Sequence, residues 1–85
     1  MNTLVKHKNH IKHLKFEENI QVYLSSGDML VIPYSYTPKL LANKELLKNY
    51  RLIANGIGIH FIDIDEDISL KGIIQYKLKN SLLAS

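Results

Sequence analysis

From Ile20 the chain alternates strictly between apolar and polar side chains, Ile20-Gln21-Val22-Tyr23-Leu24-Ser25. This is the two-residue period of a strand with one face in a core. Ser26-Gly27-Asp28 interrupts it with small and polar residues, and Met29-Leu30-Val31-Ile32 follows before Pro33. Two apolar runs around such a break predict an antiparallel hairpin, with strands near 20–25 and 28–32. Pro33 offers no N–H to a ladder and ends the second strand. The stretch from Ile11 to Phe16 is short, mixed and tolerant of β-structure.

Beyond Pro33 the period changes. Thr37-Pro38 supplies an N-cap and a proline at the first helical position, which opens a short helix through Leu40 and Leu41. Asn43 reads as a second N-cap, with Leu46, Leu47 and Tyr50 on one face of a helix of about two turns. Arg51-Leu52-Ile53-Ala54 then predicts a strand, and Ile59-His60-Phe61-Ile62 its return. Between them Asn55-Gly56-Ile57-Gly58 forms a turn whose glycines, Gly56 and Gly58, suit positive φ. After an acidic stretch, Ser69 caps a final helix with Leu70, Ile73, Ile74 and Leu78 at helical spacing and Gly72 as its weak point. Alternating strands and helices in so short a chain predict an α+β fold: a small two-layer domain of antiparallel hairpins packed against short helices and a C-terminal helix.

Eighty-five residues accommodate one domain. The expected division is a flexible basic segment over 1–10, a single α+β domain over 11–80 and a tail over 81–85. Cysteine is absent, so neither disulfides nor thiolate metal ligation holds the fold together. No apolar run spans a membrane and the start lacks a signal-peptide core, which predicts a cytoplasmic protein without membrane partners.

The net charge of +3 is small, but its distribution is uneven. Lys6, Lys8, Lys12 and Lys15 occupy the first fifteen residues with no acid, whereas Asp63, Asp65, Glu66 and Asp67 cluster without a base.

The acidic box and His60 form the one grouping with chemical potential. On an extended strand Asp63, Asp65 and Asp67 share a face, on which a hard cation is conceivable, but the spacing and glycine of an oxygen-rich calcium loop are missing. The plainer expectation is that the acids favour the positive end of the helix beginning near Ser69. For His60 the plainer expectation is a half-buried anchor, since no nucleophile stands at a meaningful spacing. His7, His10 and His13 recur every third residue. Neither a strand nor a helix aligns all three, and the neighbouring lysines repel a cation, so no metal or cofactor is expected. Gly56-Ile57-Gly58 lacks the strand-to-helix setting of a phosphate loop. Among five tyrosines, Tyr34 and Tyr36 beside two prolines are the expected surface pair.

Several of these residues carry a family likeness. Gly27, Ile32, Pro33, Tyr36, Pro38 and Leu40, then Asn49, Arg51, Leu52, Gly56, Gly58, Ile59 and His60, then Asp65-Glu66-Asp67-Ile68-Ser69 with Gly72-Ile73-Ile74, resemble the pattern of domain of unknown function family 2442. The resemblance covers residues 11–75. It departs where the family's Trp-Pro after the histidine is Phe61-Ile62 here. It implies a small α+β fold and, from gene arrangements that look like toxin–antitoxin pairs, an antitoxin-type role.

The expectation is therefore a non-enzymatic protein-interaction domain. A protein partner, a co-encoded basic toxin among the candidates, would meet Asp63, Asp65, Glu66, Asp67, Tyr34 and Tyr36. A homodimer would form through Leu70, Ile74 and Leu78. Direct nucleic-acid binding through the basic N-terminus takes second place, beside a small metal-dependent enzyme built on His60 and the acidic box.

Overall fold

The structure, a computed structural model, describes residues 9–84. The N-terminal segment expected to be flexible lies outside them up to Lys8, as does His7 of the histidine series. Strands β1 (Ile11–Phe16), β2 (Ile20–Leu24) and β3 (Met29–Ile32) form one antiparallel sheet in that order. Strands β4 (Tyr50–Ile53), β5 (Gly58–Phe61) and β6 (Glu66–Ser69) form a second, also antiparallel and in sequence order. Helix α1 (Pro38–Ala42) lies in the connection between the sheets, and α2 (Leu70–Ala84) ends the described chain, reaching into the segment 81–85. Among the described residues no helix is long and apolar enough to cross a membrane.

The alternation read along the chain becomes the inner face of the first sheet. Leu14, Val22 and Leu30 stand in register across its three strands, as Ile20 and Ile32 do across two, and all are buried. The second sheet contributes Ile59, Phe61 and Ile68, and α2 adds Leu70, Ile73 and Ile74 to the same core. Helix α2 packs against both β3 and β6, so one apolar face covers parts of both sheets. Tyr50 forms the seam. Its hydroxyl accepts a hydrogen bond from the Leu14 N–H at 2.9 Å, and its ring meets Phe16 edge-on and tilts against Phe61.

The caps of α1 and α2 are those the sequence indicates. Thr37 accepts from the Leu40 N–H and precedes Pro38, and the Ser69 hydroxyl accepts from the Gly72 N–H at 2.9 Å. The helix expected after Asn43 is a single 3-10 turn, Lys44–Leu46. The Asn43 amide donates backwards to the Lys39 carbonyl, closing α1 instead of opening a new helix, and Tyr50 has already entered β4. Leu47 is nonetheless fully buried, because the turn drops it into the core.

The β4–β5 turn departs from expectation in its details. Ala54, Asn55 and Gly56 are the residues with positive φ, and Gly58 lies within β5. Gly56 has φ +86°, and a Cβ there would stand 3.0 Å from the Ile11 carbonyl oxygen. Gly58 matters for space alone, since a Cβ would meet Ile53 Cγ1 at 2.9 Å. The larger correction is β6. The end of the acidic box is a third strand that pairs with β5 and runs straight into α2, with Ile68 as its buried residue, where the second hairpin alone was expected.

Candidate functional site

The acidic segment is divided between two structures. Ile62 to Asp65 form the turn leaving β5, with Asp65 at φ +51°, while Glu66 and Asp67 belong to β6. Asp63, Asp65 and Asp67 therefore do not share one extended face, because the turn breaks the two-residue period between them. The first turn of α2 holds no acid, and Asp67, the acid of the box nearest its start, is engaged with His60.

Several bonds brace this turn. The Ile62 N–H donates to the Asn49 carbonyl at 3.1 Å, and the Asn49 amide donates to Asp63 Oδ1 at 3.2 Å. Lys39 Nζ reaches the Ile64 carbonyl at 3.2 Å, and the Ile64 side chain packs against the core. At the other end His60 Nδ1 meets Asp67 Oδ1 at 2.5 Å, the two residues standing opposite each other in the β5–β6 register. The result is a loop whose backbone is fixed while Ile62, Asp63 and Asp65 are exposed and Glu66 is half-exposed.

His60 is the half-buried anchor expected of it. The imidazole is 20% exposed and Asp67 64% exposed. Arg51 stands opposite His60 on its other side, which sets cation, imidazole and carboxylate in a row across β4, β5 and β6. The carboxylate orients the ring, as in many general-base pairs. Among the described residues, however, no third His, Cys, Asp or Glu joins the pair to make a metal-binding group.

Tyr34 and Tyr36 sit in a 3-10 turn, Tyr34–Tyr36, whose three residues per turn direct them apart. Tyr34 donates its hydroxyl to the Glu17 carbonyl at 2.8 Å and lies under Lys44 Nζ. Tyr36 meets the Tyr76 ring edge-on at 5.1 Å. Burial raises the pKa of both phenols above the usual range, with Glu17 adding to the effect at Tyr34 and Tyr76 at Tyr36. Of the three residues expected to face a second copy, Leu70 and Ile74 already lie inside the chain's own core, and Leu78 is 55% exposed.

Asn9 is the residue that sequence reasoning missed. It is 8% exposed, and its side chain holds the turn after β2: Oδ1 accepts from Ser25 Oγ and the Ser26 N–H, and Nδ2 donates to Ser26 Oγ. One asparagine in a lysine- and histidine-rich lead-in carries no periodic signal. Ser25-Ser26 across the hairpin was the hint available.

The sequence pattern of a family described as "Protein of unknown function (DUF2442)" matches residues 11–78. The fold is similar to the crystal structure of a protein of unknown function from Rhodospirillum rubrum, with a TM-score of 0.72 and 20% identity over 81% of this chain and 88% of that one. At that identity the likeness concerns the fold alone. Comparison with curated proteins finds no match.

Proposed function

Since the chain belongs to the DUF2442 family, whose description leaves the activity open, we propose from its own surface that it is a non-enzymatic, cytoplasmic partner-binding domain whose acidic turn docks a basic protein. The observation that carries this reading is the braced turn: a fixed backbone presents exposed Asp63 and Asp65 around an exposed Ile62. Pre-organised charge costs little ordering entropy on docking, and an apolar side chain within it supplies the desolvated centre that binding surfaces need. Opposed potentials then steer encounter and set specificity. A nuclease-like toxin encoded beside this chain is the partner that best fits the charge and an antitoxin-type role.

The test is the association rate of the chain with its co-encoded neighbour at two salt concentrations. The variant Asp63→Lys, Asp65→Lys, Glu66→Lys should associate markedly more slowly and with a weaker salt dependence. The variant loses the Asn49–Asp63 bond and places Lys at the positive φ of residue 65, so it should lose about 1 to 2 kcal/mol. Circular dichroism and a cooperative melt above the assay temperature establish that it is folded when the rates are compared. Unchanged rates would remove the turn from the interface, and a neighbour that does not associate at all would end the antitoxin-type reading.

A further inference from the structure

The outer face of the first sheet is a second surface, with cations along β1 and acids confined to its turns. In register across its strands lie His13, Tyr23 and Met29, and beside them Lys15, Gln21 and Val31. Lys12, His13, Lys15 and Met29 are exposed, and Tyr23, Gln21 and Val31 are half-exposed. Strands of a one-sided sheet ordinarily turn small polar or charged side chains to water. Here the centre is aromatic: the His13 and Tyr23 rings stack at 4.6 Å and 11°, Lys15 Nζ stands 5.6 Å from the Tyr23 centroid, and the Tyr23 hydroxyl donates to Gln21 Oε1.

We infer that this face binds single-stranded nucleic acid, with an unpaired base stacked on His13 and the phosphates carried along Lys12 and Lys15. Two observations select this occupant. The first is charge: Lys6, Lys8, Lys12 and Lys15 precede every acid in the chain, so the cations of β1 continue a basic run in the sequence. Glu17 and Glu18 close the face at the hairpin end, where an open hollow of about 550 Å³ is lined by them with Lys15, Asn19, Gln21 and Val31. A polyanion is thereby directed away from the hairpin toward Lys12. The second is shape and chemistry. A sheet face uncovered by a helix, bearing a stacked exposed ring flanked by cations, complements planar bases joined by phosphates. An acidic protein would satisfy the lysines but leave the imidazole face unused.

The test titrates the full chain against a labelled, mixed-sequence oligonucleotide of about ten nucleotides, as single-stranded RNA and as single-stranded DNA, over a range of salt. Binding of either, with Lys12→Ala/Lys15→Ala lowering the salt slope by about 1.4, is the result expected from two neutralised phosphates. His13→Ala should weaken binding about tenfold and His13→Phe restore it, since a ring and not a charge is what stacks. Coincident melting curves for the variants and the parent exclude loss of fold as the cause. Three results would overturn the inference: no binding of either oligonucleotide at low salt, heparin binding as tightly with His13→Ala without effect, or binding that depends on Lys6 and Lys8 but not on the sheet residues.

Discussion

The two sheets have the same number of strands, the same order and the same antiparallel pairing, yet they are built in different ways. The first is specified locally. Its strands alternate, its inner residues meet in register, and its β2–β3 turn contains Gly27 at φ +93° with nothing within 4 Å of where a Cβ would stand. The second depends on its surroundings. Its β4–β5 turn takes three successive residues through positive φ and presses Gly56 against His10 and Ile11 of the other sheet, while β6 exists because β5 is there to pair with it. Two glycines with the same backbone requirement are thus embedded differently, and the second hairpin is a tertiary feature in a way the first is not.

The sharpest way to break this comparison is to add side chains at both glycines. Gly56→Val should lose about 3 kcal/mol, because strain at positive φ adds to a collision with the Ile11 carbonyl that cannot move aside. Gly27→Val should lose only about 1 to 2 kcal/mol, the backbone strain alone. Chemical denaturation measures both, and equal losses would show the two turns to be equivalent. Next in size is Asn9→Ala, expected to lose about 2 kcal/mol because three part-buried hydrogen bonds to Ser25 and Ser26 vanish together. Amide exchange should reveal the opening confined to the lead-in to β1 and the turn after β2; uniform loss of protection would instead make Asn9 a global element.

Tyr50→Phe examines the seam itself. Removing the hydroxyl strands the Leu14 N–H and should lower stability by about 1 kcal/mol, while the ring contacts with Phe16 and Phe61 persist. An unchanged midpoint would mean that the hydrogen bond adds nothing to the joining of the sheets. The smallest expected effect lies at high pH. The Tyr36 phenol is raised chiefly by burial and further by Tyr76, so the folded state holds its proton more tightly than the unfolded chain. Its contribution is complete below the ordinary tyrosine value and fades as pH rises through the higher folded value. Between about pH 9 and pH 12 the melting temperature of the parent should therefore fall more steeply than that of Tyr36→Phe. Parallel profiles would remove Tyr36 from the alkaline transition.

The charged regions repeat the lesson of the sheets. The acidic box was legible as composition, but its shape was not. Asp65 at positive φ and the pairing of Asp67 with His60 divide a run of acids that reads, one residue after the next, as a single extended face. The basic run was legible too, while the stack of His13 on Tyr23 was invisible, because those residues are ten positions apart and meet only through the β1–β2 register.

What the sequence determined by itself was local in origin: the β2–β3 hairpin from its alternation, α1 from Thr37 and Pro38, the Ser69 cap, and the burial of Ile20, Val22, Leu30 and Ile32. In these segments period, cap and turn chemistry point to the same conformation. Tertiary structure decided the rest. It cut the helix after Asn43 to one turn, made a strand of Glu66–Ser69 by offering β5 as its edge, drew Leu70 and Ile74 into the core and left Leu78 outside it. The physical reason is that a short segment with one or two apolar residues buries too little surface to choose its own conformation. It adopts the one whose hydrogen bonds and contacts its neighbours complete.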